Sequence, residues 1–133
     1  MTNIVVRITR HPADADRTNF LKIIFGDDTN IVTEDILYGD DPIAAVRSII
    51  ERTESNGNKV VAVEAQAPFP VLMRLVDRRR DLGITLIRAQ FERDGGGRAI
   101  VIGKDESGRD LLKFSHYEEL EKIEFQTRRL EPR

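Results

Sequence analysis

NKVVAVEAQAPFPVLMRLVDRRRDLGITLIRAQFER, residues 58–93, holds three consecutive signals. Val60 to Val63 is apolar at successive positions, Pro70 opens a stretch with Val71, Leu72, Leu75 and Val76 at helical spacing, and Gly83 stops it. Ile84 to about Phe91 follows at once as a second apolar run. A strand that is apolar at consecutive rather than alternate positions is buried on both faces, which is the condition of a parallel sheet covered by helices. The unit reads as a βαβ crossover.

The chain upstream repeats this alternation. Ile4 to Ile8 (IVVRI) is an apolar run interrupted only by Arg7, and it ends at Thr9-Arg10-His11-Pro12. Proline there removes an amide donor and biases His11 away from helical geometry. A helix is expected from near Asp14, burying Phe20, Leu21, Ile24 and Phe25 and ending at Gly26; Asn30 to Glu34 supplies a second strand. Asp41 followed by Pro42 is a helix start, because Asp41 can accept free first-turn amides and proline needs no amide partner there. Ile43, Val46, Ile49 and Ile50 give that helix its apolar stripe, and the turn-forming cluster Thr53 to Asn58 ends it.

Downstream the pattern changes. Asp94-Gly95-Gly96-Gly97 is a turn, Arg98 to Ile102 and Asp110 to Phe114 form an antiparallel hairpin with Asp105-Glu106-Ser107-Gly108 at its tip, and Ser115 to Leu120 is expected to make a helical turn. Ile123 and Phe125 alternate with polar neighbours and read as a half-exposed last strand. The fold class expected is α/β: a Rossmann-like three-layer sandwich with a mainly parallel sheet, formed by one domain over residues 1–133, with a parallel core at 1–93 and an antiparallel extension at 94–133.

Composition narrows the partners. The 133 residues carry 21 Lys and Arg against 23 Asp and Glu, a formal charge of -2, so no overall field draws the chain to duplex nucleic acid or anionic lipid. Cysteine is absent, which excludes disulfides and thiolate zinc sites. The N-terminal apolar stretch is too short and too interrupted for a signal peptide, and no run reaches the length of a membrane span; the expected location is cytoplasmic.

In folds of this class ligands bind beyond the carboxyl ends of the parallel strands. That rule selects Thr9, Arg10 and His11 after the first strand, Asp35, Tyr38 and Asp40 after the second, Glu64 and Gln66 after the third, and Gln90 and Glu92 near the fourth. His11 is the candidate acid, base or nucleophile, and Arg10 can hold a phosphate through paired hydrogen bonds. Thr9, Arg10, Tyr38, Asp40, Glu64, Gln66 and Glu92 form the expected ligand-binding set. The plainer alternative has the imidazole capping a loop and Arg10 pairing with a nearby carboxylate.

Other motifs carry less. No glycine-rich phosphate fingerprint follows a strand, and Asp94-Gly95-Gly96-Gly97-Arg98 lacks the lysine and helix of a P-loop. Asp14 and Asp16 at the start of the first helix oppose an incoming anion there. Asp35, Asp40, Glu64 and Glu92 could converge on magnesium, but scattered loop carboxylates are far more often solvated or paired, so no metal or cofactor is assigned. Asp77-Arg78-Arg79-Arg80-Asp81 reads as a solvated helix surface.

Arg10-His11 after an apolar strand is similar to the start of the histidine phosphatases, where Arg-His-Gly follows the first strand and the histidine is phosphorylated; here Pro12 replaces the glycine. Thr9-Arg10-His11-Pro12 leading to a helix, with the later proline-initiated helix in Ala67-Pro68-Phe69-Pro70-Val71-Leu72, resembles small Rossmann-like proteins accessory to CRISPR systems, related to domains that sense or degrade cyclic oligoadenylates. This second resemblance covers about half the chain and implies a homodimer binding a cyclic oligonucleotide across its strand ends. The functional expectation is a ligand-binding domain for a nucleotide or oligonucleotide phosphate, with hydrolysis assisted by His11 left open. The alternative is a non-catalytic homo-oligomeric structural or protein-interaction module.

Overall fold

The computed structural model describes residues 2–123 and 127–132. Its central sheet has five strands in the order β2-β1-β3-β4-β7. β1 (Asn3–Ile8), β2 (Asn30–Glu34), β3 (Lys59–Ala65) and β4 (Thr85–Phe91) run parallel, and β7 (Phe114–Glu119) closes one edge antiparallel to β4. The architecture is the expected α/β sandwich: a mainly parallel sheet with an antiparallel extension, helices lying on both faces. β5 (Val101–Lys104) and β6 (Asp110–Leu112) form a separate two-stranded hairpin.

Local chemistry sets the helix ends. α1 (Ala15–Phe25) is capped by Asp14, whose carboxylate accepts the Arg17 amide at 2.8 Å, and it stops at Gly26 with φ 113°. α2 (Pro42–Glu54) starts as the Asp41-Pro42 pair dictates, with Asp41 accepting the Ala44 amide at 3.1 Å. α3 (Phe69–Leu82) begins one residue before the expected Pro70 because Pro68 occupies the cap position and Phe69 already has helical geometry. Gly83 ends it in the left-handed region, its amide reaching the carbonyls of Arg79 and Arg80.

Side-chain alternation along the strands separates two layers of core. Ile4, Val6 and Ile8 of β1 join Val63 and Ala65 of β3 and Leu86 of β4 under α2 and α3, which contribute Ile43, Val46, Ile49, Ile50, Leu72, Leu75 and Val76. Val5, Ala62, Ile87, Ala89 and Tyr117 face the other way, toward Leu21, Phe20 and Phe25 of α1. The chain leaves β1 toward β2 on one side and returns past β1 to β3, so α1 lies on one face and α2 with α3 on the other. The reversal makes the β1/β3 boundary the topological switch point.

Three sequence expectations are corrected. Residues 114–119 are strand β7, not a helical turn: Phe114 and Tyr117 reach the same face because the β4–β7 register shifts between Gln90 and Phe91. Ile24 is 60% exposed, since α1 covers its face of the sheet with Phe20, Leu21 and Phe25 alone. The last expected strand does not include Ile123, which has no regular structure, and Phe125 lies outside the described residues. Among the described residues no helix is long and apolar enough to cross a membrane.

Candidate ligand site at the strand ends

The carboxyl ends of β1, β2 and β3 open into a cavity of about 350 Å³ lined by Thr9, Arg10, His11, Tyr38, Gln66 and Arg109, among others. Thr9 and Gln66 mark the switch point directly. The Thr9 hydroxyl donates to Gln66 Oε1 at 2.8 Å, tying the end of β1 to the end of β3, and its oxygen accepts the His11 amide at 3.2 Å. These bonds hold the chain in a tight turn that presents Arg10 and His11 outward. The sequence placed these five residues (Thr9, Arg10, His11, Tyr38 and Gln66) around one mouth, and the structure brings them together.

Two contributors come from the hairpin and were not legible as site residues. Its tip folds toward the β1–α1 loop, so that Arg109 joins Arg10, and Asp105 Oδ2 lies 4.0 Å from His11 Nδ1. The other carboxylate oxygen of Asp105 accepts the amides of Ser107 and Arg109, both at 2.9 Å, which fixes the tip. A second cavity of about 640 Å³ lies between tip and loop, lined by Arg10, His11, Pro12, Lys104, Glu106 and Arg109, among others. Arg10, His11 and Arg109 border both cavities. Neither the Arg10 nor the Arg109 guanidinium is engaged in an ion pair among the described residues. Two guanidiniums without a carboxylate partner, next to an imidazole, can together take a phosphate oxygen set.

Tyr38 forms part of the cavity wall, with its hydroxyl buried and without a hydrogen-bond partner. Burial, and then the nearby Glu64 charge, push its ionisation well above the ordinary tyrosine range, so the phenol is a neutral donor at any physiological pH.

Asp35 also lines this cavity, and the other expected site residues lie elsewhere. Glu64 sits inside β3 and not at its end, fully buried and bonded to Arg7 at 2.8 Å, beneath the cavity floor. Strand alternation turns it toward α1, not toward the mouth. Glu92 pairs with Lys113 at 2.8 Å where the extension leaves the sheet. Asp40 is exposed in the loop before α2, and its carbonyl accepts from Arg74 at 3.2 Å. Gln90 lines a third cavity, of about 250 Å³, between the ends of β3 and β4. Asp35, Asp40, Glu64 and Glu92 therefore do not converge, and no cluster of three or more potential metal-ligating His, Asp or Glu residues occurs among the described residues.

Comparison of the chain with protein-family models, with curated proteins and with solved structures gives no match. Function must be read from the site itself.

Proposed function

We propose that the chain is a ligand-binding domain for a small phosphorylated molecule, a nucleotide or an oligonucleotide phosphate, held at the carboxyl ends of the parallel strands. The observation that carries this reading is the convergence of Arg10, His11, Tyr38, Gln66 and Arg109 on one cavity at the β1/β3 switch point. Arg10 and Arg109 take the phosphate, Tyr38 and Gln66 offer hydrogen bonds to the rest of the ligand, and His11 stands where a proton could be given or taken. In a catalytic version of this site Asp105 faces Nδ1 and orients the ring, leaving Nε2 for the ligand.

The test is thermal unfolding of the full chain with inorganic phosphate, AMP, and linear and cyclic oligoadenylates. A ligand at about a hundred times its Kd adds about 2.7 kcal/mol, enough to raise the midpoint by several degrees. At least one of these probes is expected to do so, with the rise abolished in Arg10→Ala/Arg109→Ala. No rise with any probe overturns the reading.

A second reading, a homo-oligomeric interaction module, is favoured by the β5–β6 hairpin, which leaves Val101, Ile102 and Leu111 50%, 64% and 38% exposed. A homodimer joined through this apolar arm predicts a doubled mass in light scattering that Ile102→Glu halves. A monomeric mass for the unmutated chain at all concentrations contradicts it.

A further inference from the structure

Beneath the strand-end cavity runs a set of buried polar side chains that phosphate binding does not use. Arg7 and Glu64 are register partners on β1 and β3, both 0% exposed, with Arg7 Nε donating to Glu64 Oε1 at 2.8 Å. The same Glu64 oxygen accepts the Tyr117 hydroxyl at 2.5 Å. Tyr117 belongs to β7, which does not touch β3; it reaches across because its neighbour on β4 is the small Ala89. At the other end, Arg7 Nη1 donates to the His11 carbonyl at 2.9 Å and to Thr33 Oγ1 of β2 at 3.3 Å.

Stability does not explain this arrangement. A buried ion pair must recover the desolvation of both charges, and apolar side chains of similar volume in its place are often neutral or stabilising. Arg7 Nη2 and Glu64 Oε2 are buried without hydrogen-bond partners, so the pair is not even fully compensated. What the arrangement does achieve is geometric. A planar guanidinium, clamped by Glu64, holds the carbonyl of the residue whose side chain faces both cavities.

We propose that Arg7, Glu64 and Tyr117 are positioning residues for the His11 turn, so that the antiparallel extension sets the placement of Arg10 and His11 through the interior of the sheet. Its consequence for ligand affinity rests on the phosphate reading above; its consequence for the turn does not. Arg7 fixes the His11 backbone, Glu64 orients Arg7, and Tyr117 orients Glu64. Tyr117 thereby couples β7 to a loop on the far side of β4 and β3.

The experiment follows the His11 ring and Arg10 amide by NMR in the full chain, together with the affinity for inorganic phosphate. Arg7→Lys keeps a cation for Glu64 but lacks the fork that reaches Glu64 and His11 at once, so it restores a merely structural role and not a positioning one. Arg7→Met/Glu64→Leu replaces the pair with apolar volume. Both variants, while folded, are expected to shift the His11 and Arg10 resonances and to weaken phosphate binding about tenfold, the consequence of losing one charge-assisted bond of pre-organisation. Native resonances and native affinity in either folded variant overturn the proposal. Should the unmutated chain bind no phosphate, the reading of the site fails, and the resonances alone decide whether the turn is positioned from below. Should neither Arg7 variant fold, Tyr117→Phe decides: displaced His11 resonances support the coupling, and unchanged ones overturn it.

Discussion

The two faces of the sheet are built on different principles. Under α2 and α3 the strands present Ile4, Val6, Ile8, Val63 and Leu86 to helix residues that are equally apolar. Under α1, a single helix covers Val5, Ala62 and Ile87 while Arg7, Glu64 and Tyr117 occupy the same layer nearer the strand ends. The first face secures the fold through area removed from water. The second spends part of its interior on hydrogen bonds that converge on the loop carrying His11. A face that only stabilises tolerates apolar repacking, whereas one that positions a site does not.

The largest effect expected from breaking this contrast is on the polar face. Arg7→Met alone leaves the Glu64 charge buried and unpaired, and should cost about 4 kcal/mol in denaturant unfolding. Adding Glu64→Leu should return stability to within about 1 kcal/mol of the original. On the apolar face no second change can rescue in this way: Leu75→Ala should cost about 3 kcal/mol, because the fully buried side chain is hemmed in between helix and sheet. Leu21→Ala, under the lone α1, should cost about 2 kcal/mol, since a thinner layer can collapse into the space.

Smaller effects sharpen the picture. Tyr117→Phe should cost about 1.5 kcal/mol at neutral pH, the worth of its charge-assisted bond to Glu64. Burial, followed by the Glu64 charge and hydrogen bond, raises the ionisation of Tyr117 above its ordinary value of 10.0. The stability linked to the neutral phenol is therefore complete below about pH 10 and lost as pH climbs through the raised value, once the unfolded chain has released a proton that the folded one retains. Alkaline unfolding curves of Tyr117→Phe should be correspondingly flatter above about pH 10. Smallest of all, Arg78→Ala should change stability by less than about 0.5 kcal/mol, because its pair with Asp81 is exposed.

How much of this was legible in the sequence follows from the same contrast. The apolar face announces itself through consecutive β-branched residues, and the helix signals at Asp41-Pro42 and Gly83 are local chemistry that tertiary packing does not override. Strand polarity alone brings Thr9, Arg10, His11, Tyr38 and Gln66 to one end of the sheet, where they line one cavity. The polar face is harder to see. Arg7 reads as an interruption of an apolar strand, and its meaning emerges only beside Glu64, the single charge in the VAVEA run of β3 and its register partner. One cation and one anion, each alone in the apolar run of its strand and each one residue from the strand's end, form the signal that could have paired them. Strand β7 was missed because Phe114 and Tyr117 recur at a helical spacing of three, which the register shift beside Phe91 accommodates in a strand. Asp105 and Arg109 were unreadable as site residues, since nothing local says that a hairpin tip folds back over the first loop.

The central claim is that anions are taken at the carboxyl ends of the strands. The opposite end offers a control, a basic cavity of about 410 Å³ beside Lys59, Arg79 and Arg80 where a nonspecific phosphate would settle equally well. Titrating AMP into isotopically labelled protein and following backbone and arginine side-chain resonances compares the two ends in one measurement. Saturable shifts confined to Arg10, His11, Gln66 and Arg109 are the predicted result. Shifts centred on Lys59, Arg79 and Arg80, with the strand-end residues unmoved, would contradict it.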